Sequence, residues 1–419
     1  MNADTLPPFH IDVCKPDQRE PGMMMFNVRP GGVAEHSGNV GWFLGVNQAG
    51  EIALDLTFDS PTQDSRLLPN GNILISLTAA GLIMEVQPDG SLVRQWHIAG
   101  KWTAKTPPDG SIEIDALLTH HTINTFSNGN LMLLTAEMRE LDDWPQADDD
   151  PNAPRGKSKV IGDVVLEVAP DGQIVNRIKI FDILDSTRLC YGSCAGYWRP
   201  RGFDDSFDWC HANSAIHDTR DDSIIMSFRT QDCLIKIDRH SGELKWILGD
   251  SGNWKEPWAS KLLKPDASVA WQYHQHDCSI TPDGNLLCFD NGNCRAVPFK
   301  AKMPDDQCYS RAVEFDIDEK AMTVRQVWSY GGPGQDMTYA CYQGGAYRLP
   351  QTGNTFITYG GVCTIDGKPT SSNLDSFVRG RLVEVTPAGE VVFDMWIDSD
   401  EASGGSPLSV FRSEFVPAA

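Results

Sequence analysis

Three histidines and one arginine in the middle of the chain have side chains suited to holding and transferring an anionic group. His121, His211 and His276 each open a segment in which apolar and polar residues alternate, and Arg229 ends the segment that returns from His211. A neutral imidazole can act as a nucleophile or carry a proton, and a guanidinium can bind the oxygens of sulfate- or phosphate-like groups through two parallel hydrogen bonds. The set is typical of an oxyanion site.

The spacing of the histidines predicts that they lie in equivalent places. His121 lies eight residues before the turn residue Gly129, and His276 lies eight residues before Gly284. His211 opens the matching segment before a longer bend at 218–222. One histidine at the end of a strand often only satisfies backbone groups, but three in register with an arginine favour a shared site.

A metal centre is the main alternative for this set, because three histidine ligands can hold a catalytic zinc ion. Arg229 beside a cation is unfavourable, and Asp277 is the one carboxylate in register with the histidines. We therefore expect an anion site without a metal. His120 and His274 flank the set and are expected to support it.

Repeated hairpins supply the strands that must position these residues. One hairpin type has a Pro-Asp-Gly, Pro-Ala-Gly or looser turn and recurs at 43–56, 82–96, 164–177, 233–248, 312–330 and 381–394. A second type, in most copies with Asn-Gly, Asp-Gly or Thr-Gly at its bend, precedes most of the first at 67–76, 125–134, 216–227, 279–288 and 347–357. Alternation at a period of two around such turns is the signature of antiparallel hairpins.

Two hairpins per repeat predict an all-β, six-bladed β-propeller with four-stranded antiparallel blades. We expect residues 1–39 to be an N-terminal extension and 40–419 to be one propeller domain. The hairpin at 40–56 is predicted to pair with a C-terminal strand at 409–415 and so close the ring. The alternative fold is a pair of β-sandwiches. Because the first strand of each blade lines the channel, the three histidines are expected to meet there.

Long inserts interrupt the repeats at 99–119, 138–160, 182–207, 249–272 and 295–309. Two of them are rich in aromatic residues and are expected to roof a pocket for an aromatic ligand. These aromatic residues are Tyr191, Tyr197, Trp198, Trp254, Trp258 and Trp271. The aspartates within 139–157 are expected to form a solvated loop, with weak calcium binding as the alternative.

Composition limits the class of partner. The chain has 419 residues and a net charge of −22, which argues against nucleic acid. It has no apolar run of about eighteen residues and no leader-like start, so we expect a soluble protein of the cytoplasm that does not bind membranes. The eleven cysteines are expected to be thiols, and a zinc site at Cys190 and Cys194 is less favoured.

Several segments around these residues resemble the arylsulfate sulfotransferase family, PAPS-independent enzymes built on a six-bladed propeller. The similarity covers most of residues 40–415, and the ordered histidine and arginine motifs make it specific. The matching segments are His120-His121, Asp208-Trp-Cys-His211-Ala-Asn, Ser227-Phe-Arg229, Ile235-Lys-Ile-Asp, Gly242-Glu-Leu-Lys-Trp-Ile-Leu-Gly249, Gln275-His276, Phe289-Asp-Asn-Gly292 and Ser310-Arg311-Ala-Val-Glu-Phe.

The resemblance implies a role for each residue of the set. It makes His276 the nucleophile that takes a sulfuryl group from a phenolic sulfate and passes it to an acceptor phenol, without a cofactor. It also implies that His121, His211 and Arg229 hold the sulfuryl oxygens. The other residues expected to contact substrate are Tyr191, Tyr197, Trp198, Tyr273, Asn213, His120 and His274.

Two other functions stay open at this point. Family members are typically exported, carry an extra N-terminal β-domain and use a disulfide, which this chain is not expected to share. The same histidines and arginine suit a metal-free lyase or hydrolase acting on a phenolic, for example lignin-derived, compound, including carbon–carbon cleavage. A non-catalytic propeller that binds partners is the other alternative. The sequence does not predict an oligomeric state.

Overall fold

The main regular secondary structure of the chain is the β-strand. The structure is a computed structural model that describes residues 6–32, 39–398 and 405–418. Within these ranges thirty strands form six sheets. No helix in the same ranges is both long enough and apolar enough to cross a membrane.

Most strands follow one another as hairpins, as the repeats predict, and the inserts form the longer connections. In chain order they are β1 (Phe9–Cys14), β2 (Gly22–Pro30), β3 (Gly41–Asn47), β4 (Ile52–Phe58), β5 (Ser65–Leu67), β6 (Ile73–Leu77), β7 (Leu82–Val86), β8 (Leu92–Ile98), β9 (Ile112–Ile114), β10 (His120–Thr125), β11 (Leu131–Pro145), β12 (Arg155–Val168), β13 (Ile174–Lys179), β14 (Ser206–Asp208), β15 (Ala212–Asp218), β16 (Ser223–Phe228), β17 (Cys233–Asp238), β18 (Leu244–Gly249), β19 (Lys264–Pro265), β20 (His276–Ile280), β21 (Leu286–Asp290), β22 (Arg311–Asp318), β23 (Thr323–Tyr330), β24 (Ala340–Tyr342), β25 (Gly345–Arg348), β26 (Thr355–Ile365), β27 (Lys368–Pro369), β28 (Phe377–Val385), β29 (Val391–Ile397) and β30 (Leu408–Pro417). Short 3₁₀ helices lie at Pro16–Gln18, Ala99–Lys101, Ile180–Asp182, Arg199–Arg201, Arg229–Gln231, Trp258–Lys261 and Asp305–Gln307.

Each sheet is built from consecutive strands, except where the chain ends meet. Sheet I is β5–β9, sheet II β10–β14, sheet III β15–β18, sheet IV β19–β23, sheet V β24–β29 with β1, and sheet VI β2–β4 with β30. The inner strands β5, β10, β15, β20, β25 and β30 contact one another in that order, and β30 contacts β5. The predicted all-β propeller with antiparallel blades is confirmed.

The blades are larger than the predicted four strands in several sheets. Three inserts add an outer strand that runs parallel to its neighbour, as β9 does beside β8, β14 beside β12 and β19 beside β23. Sheet V has seven strands, because its inner strand is split into β24 and β25 and it also includes β27 and β1. The four-stranded antiparallel unit is the core of each sheet rather than its full extent.

Apolar side chains fill the spaces between neighbouring sheets. Within the described parts of the chain, one large buried cluster joins each neighbouring pair, for example Ile123 of sheet II with Leu74 of sheet I, and Met25 of sheet VI with Ile75 of sheet I. Burial of both faces removes most of the apolar surface from water and fixes each sheet against the next. The inner edges of the strands are thereby held in place around the axis.

A buried glutamate explains why the turn motifs repeat. On the third core strand of sheets I, II, IV and V, a glutamate accepts hydrogen bonds from asparagine side chains of the preceding turn. Glu85 bonds Asn70 and Asn72, and Glu167 bonds Asn128 and Asn130 in the same way. In most of these sheets an arginine also donates to the glutamate, as Arg239 of sheet III does to Glu167. We call this set of bonds to the glutamate the turn lock. The Asn-Gly-Asn turn and the Glu-Val strand motif are thus one unit.

The start of the propeller lies earlier than the sequence predicted. Strand β2 pairs with both β30 and β3, so it lies between the terminal strand and the hairpin that were expected to pair directly. Strand β1 pairs with β29 at the outer edge of sheet V. Assigning residues 1–39 to an extension was therefore wrong for β1 and β2, because residues 9–14 and 22–30 belong to the sheets.

Candidate active site

The predicted site residues lie at the inner strand ends of three consecutive sheets. His121 is in β10, His211 directly precedes β15, and His276 begins β20. Arg229 directly follows β16, and its backbone N–H donates to the carbonyl oxygen of His211 across 3.0 Å. The hairpin of β15 and β16 thus holds His211 and Arg229, two of the predicted site residues, side by side.

Backbone bulges turn two of these histidines toward the axis. His121 and His211 have positive φ angles of 52° and 49°, the left-handed region that non-glycine residues seldom occupy. The pairing register shifts next to each of them, between His120 and Ile123 in β10 and between Ala212 and Ser214 in β15. Such conformations cost about 1–3 kcal/mol each and persist only where the surrounding structure enforces them.

Three histidine rings form one continuous chain of contacts. Nδ1 of His120 lies 2.9 Å from Nδ1 of His121, and Nε2 of His121 lies 3.2 Å from Nε2 of His211. The far nitrogen of His120 faces Asp163 Oδ1 at 3.3 Å, and Nδ1 of His211 faces Asp208 Oδ2 at 2.6 Å. We call these five residues the histidine chain. Its carboxylates hold the rings at both ends.

His276 lies beside the histidine chain with a defined ring orientation. Its ring centre is 6.5 Å from that of His121, and only 2% of its surface is exposed. Nδ1 of His276 lies 2.8 Å from Oδ1 of Asn291, whose amide nitrogen donates to the carbonyl oxygens of Ala340 and Gln343. Those two bonds fix the orientation of the Asn291 amide, so His276 donates from Nδ1 and keeps a lone pair on Nε2.

The surroundings of His276 and His121 favour the neutral form of both rings. Burial first, and then the positive charge of Arg229, lower the pKa of His276 well below its usual value of 6.5. Burial and the neighbouring histidines lower the pKa of His121 in the same direction. A neutral His276 with a free Nε2 lone pair is chemically competent as a nucleophile.

Aromatic side chains from the insert at 182–207 surround the histidines on one side. The half-buried Tyr197 ring lies edge-on to His211, with centres 4.5 Å apart. Trp198 is buried, packs edge-on against His120 and donates from its indole nitrogen to Asp208 Oδ1 across 2.7 Å. Tyr197 therefore borders the site, whereas Trp198 acts through His120 and Asp208.

Four residues that were expected to contact substrate lie elsewhere or serve the framework. Asn213 is fully buried and donates to the carbonyl oxygen of Gln275, joining β15 to β20. Tyr191 donates to the carbonyl oxygen of Lys300, and Tyr273 lies among Asp232, Asp250 and Asp290. His274 faces Asp232, with Nδ1 at 3.1 Å from Oδ1. His274 still borders the site, because a Cβ atom placed on Gly192 would lie 3.5 Å from Nε2 of His274 and 3.8 Å from Nη1 of Arg229.

The acidic segment 139–157 is not the solvated loop that the sequence predicted. Strands β11 and β12 stay paired up to Pro145 and Arg155, so the segment is the far end of a long hairpin. At its turn, Oδ2 of Asp148 accepts from the backbone N–H groups of Gly192 and Cys194, each at 2.9 Å. The hairpin therefore anchors the insert that carries Tyr197.

Sequence reasoning missed the residues that orient the histidines. Asp208 and Asn291 were part of the matching motifs but were given no role, and Asp163 was not considered. Asp208 lies three residues before His211, a spacing that is a usable signal for a carboxylate beside an imidazole. Within the described residues, no group of three or more His, Cys, Asp and Glu side chains is arranged to hold a metal ion.

Comparison with known proteins identifies the family. Residues 15–403 match the family model described as arylsulfotransferase (ASST). A segment of 212 residues is 35% identical to arylsulfate sulfotransferase AssT of Escherichia coli O6:H1, covering 41% of this chain and 35% of that protein. AssT of Lelliottia amnigena is 37% identical over 141 residues, covering 30% of this chain and 23% of that protein. The match thus spans about a third or less of these relatives.

Solved structures that resemble the chain are distant in sequence. A protein of unknown function from Bacteroides caccae is 12% identical, with a TM-score of 0.46, and the match covers 93% of this chain and 99% of that one. The family model, in contrast, extends over sheets I to IV and over most of the strands of sheets V and VI. This chain belongs to the arylsulfotransferase family.

Proposed function

We propose that this protein transfers a sulfuryl group from an aryl sulfate to a phenolic acceptor, with His276 as the nucleophile. The observation that carries the proposal is the bond from His276 Nδ1 to Asn291, which leaves Nε2 unprotonated beside the histidine chain. Membership of the arylsulfotransferase family supports the same reaction class.

The first half of the reaction forms a sulfohistidine. The Nε2 lone pair of His276 attacks sulfur, the N–S bond forms, and the bond from sulfur to the aryl oxygen breaks. Arg229, His121 and His211 hold the sulfuryl oxygens and stabilise the charge that develops on transfer. In the second half an acceptor phenol attacks sulfur and regenerates His276.

The aryl part of the substrate is proposed to lie against Tyr197. Its ring borders His211 and is half-buried, so a phenyl group placed there keeps its sulfate within the reach of the histidines. The guanidinium carbon of Arg201 lies over this ring, 3.7 Å from its centre, and holds it in place.

We also infer that the six sheets are the six blades of one ring. The supporting observation is the sequence of contacts among the inner strands, which runs through all six sheets and returns to its start. On this arrangement the three histidines come from three successive blades.

The test of the function uses p-nitrophenyl sulfate as donor and phenol as acceptor. We expect p-nitrophenol and phenyl sulfate in equal amounts, and a sulfuryl group on the peptide that contains His276 when phenol is left out. His276→Asn should abolish both signals. His97→Gln, a buried histidine of β8 outside the site, should keep them.

The same assay separates the alternatives. A hydrolase releases p-nitrophenol without making phenyl sulfate, and a lyase or a binding module makes neither. If His276→Asn transfers at the rate of the unchanged protein, the role of His276 is wrong.

A further inference from the structure

The contacts of the histidine chain set how many protons it holds. Two lone pairs, or two N–H groups, cannot face each other within hydrogen-bond distance, so each N···N contact holds one proton. The His120–His121 contact at 2.9 Å and the His121–His211 contact at 3.2 Å therefore hold two protons. The nitrogen at each end of the three rings faces a hydrogen-bond acceptor and therefore carries a proton. Nδ1 of His211 faces Asp208, and Nε2 of His120 faces the carbonyl oxygen of Thr135 at 3.2 Å.

The ligand-free chain therefore carries one proton more than three neutral rings. Three neutral imidazoles hold three protons. The two end nitrogens, Nε2 of His120 and Nδ1 of His211, need one proton each, and the two N···N contacts hold one each, which makes four. The carboxylates of Asp163 and Asp208 compensate the extra charge from the two ends. Burial disfavours the charged form of His121, the central ring of the three.

The contact between His121 and His211 is the place where a ligand enters the chain. It is the longer of the two N···N contacts, and it is bordered by the half-buried Tyr197 and by His276. An oxyanion placed there accepts hydrogen bonds, so each Nε2 must carry its own proton. The single proton that the two rings share is then replaced by two protons, one on Nε2 of His121 and one on Nε2 of His211.

We propose that an oxyanion binds between His121 and His211 together with one proton taken from solution. The groups facing this pair are Asp163, Asp208, His120, His276, Tyr197, Arg229, Arg412 and Cys210. Arg229 attracts the anion but cannot change its own proton count near neutral pH. The change in proton number thus belongs to the histidine pair.

The proton taken up has a use in the proposed function, on which this part of the inference rests. When the bond from sulfur to the aryl oxygen breaks, its electron pair stays on oxygen, and the oxygen takes this proton from His121 or His211. The ring that gives this proton then no longer donates to a sulfuryl oxygen, and the histidine chain returns to four protons. In the second half the acceptor phenol gives its proton to the chain as its oxygen bonds sulfur and the N–S electron pair returns to His276.

The experiment is a calorimetric titration of the full-length protein with inorganic sulfate. Titrations run at fixed pH in buffers that lack sulfonate and phosphate groups and differ in ionisation enthalpy, so the heat reports the protons exchanged. We expect close to one proton taken up per sulfate, and a sulfate affinity that rises about tenfold for each unit of pH lowered on the alkaline side.

Two variants locate the proton. His211→Gln removes the N···N contact, so we expect no uptake and an affinity that hardly changes with pH. His120→Gln keeps the contact between His121 and His211, so uptake should remain near one. Equal uptake in His211→Gln and in the unchanged protein, or none in the unchanged protein, overturns the inference.

A second measurement does not depend on the variants folding. With histidine labelled by ¹⁵N, sulfate should give the unchanged protein one more protonated ring nitrogen, and an unchanged count contradicts the inference. Sulfate binding needs no turnover, so the two proposals fail separately. Proton uptake without sulfuryl transfer leaves the oxyanion site standing, and transfer without uptake removes only the inference.

Discussion

His276 donates a hydrogen bond from Nδ1 to Oδ1 of Asn291 across 2.8 Å, and this bond decides which ring nitrogen is free to react. The Asn291 amide cannot rotate, because its nitrogen donates to two carbonyl oxygens on the neighbouring inner strand region, at 2.7 and 2.9 Å. Asn291 is therefore a positioning residue for the proposed nucleophile, because it holds His276 in one tautomer.

Asn291→Ala should slow sulfuryl transfer by at least about tenfold, because His276 then samples both tautomers and ring orientations. The loss should appear in kcat more than in KM. Stopped assays with p-nitrophenyl sulfate measure both constants. Asn354→Ala is the matched control, since Asn354 is also buried but bonds Glu384 and Gln18 in sheet V. An equal loss in both variants would point to general destabilisation.

Arg229→Gln should shift the acid side of the pH profile upward. As the proposed nucleophile, His276 must be neutral, and Arg229 is the second cause that lowers its pKa after burial. The unchanged protein should therefore keep its kcat/KM as the pH falls through 6.5, whereas the variant should begin to lose activity nearer that value. The maximal rate should also fall by about 10²–10³-fold, as for loss of an oxyanion donor.

A pH profile of kcat/KM on the acid side tests this shift. Arg325→Gln is the control, because Arg325 is exposed and pairs with Asp316 far from the site. If the acid side of the profile is the same in Arg229→Gln and in the unchanged protein, Arg229 does not lower the pKa of His276.

Stability should fall as the pH drops below 6.5. His121 and His276 have folded-state pKa values below that of the unfolded chain, so the unfolded chain binds more protons in this range. The loss begins near the unfolded value of 6.5 and grows toward the lowered folded values. Urea unfolding at a series of pH values measures it. A double His121→Gln, His276→Gln variant should show a weaker dependence in the same range.

Arg412→Met should destabilise the fold by about 3–5 kcal/mol, because it leaves buried carboxylates without their partner. Arg412 is 1% exposed, donates to the carbonyl oxygen of Asn213 at 2.7 Å and lies 3.3 Å from Asp277 and 3.5 Å from Asp64. Urea unfolding gives the change. Arg325→Met removes an exposed pair and should leave stability nearly unchanged. A small loss for Arg412→Met would mean that its carboxylate partners are neutral in the fold.

The main outline of the site was predictable from register alone. Equal spacing from the turns placed His121 and His276 at the same height, and the structure brings them together with His211 and Arg229. The contact between His120 and His121 was not predictable, because adjacent residues of a regular strand point to opposite faces. The left-handed φ of His121 breaks that alternation and lets the two rings meet.

The missed strand β2 has a different cause. Its sequence, Gly-Met-Met-Met-Phe-Asn-Val-Arg-Pro, is nearly continuously apolar at its start and belongs to neither of the two repeated hairpin types. A repeat is recognised from the turn that joins its two strands. The pattern therefore does not predict a strand whose partner lies at the far end of the chain. The cytoplasmic location, expected from the sequence, stays a prediction.

Glu167→Ala should cost about 1.5–3 kcal/mol, because Glu167 is a buried charged acceptor for two asparagines and Arg239. Burial opposes its ionisation, but hydrogen bonds from these partners keep its pKa below the usual value. Urea unfolding measures the loss. Glu140→Ala, which removes an exposed pair with Lys157, should not change stability. A loss in both would contradict the role of the turn lock.

Tyr197→Ala should raise the KM for aryl sulfates by about two- to tenfold, which is the range expected for losing one aromatic contact. The centre of the ring lies 4.5 Å from that of His211 and 6.2 Å from that of His121, which is where the proposed function puts the aryl group of the substrate. Tyr197→Phe keeps the ring and should keep the KM, which makes it the matched control. Initial rates over a range of p-nitrophenyl sulfate concentrations measure the change. If Tyr197→Ala lowers kcat at an unchanged KM, the ring instead positions His211, and the aryl group of the substrate binds elsewhere on the rim.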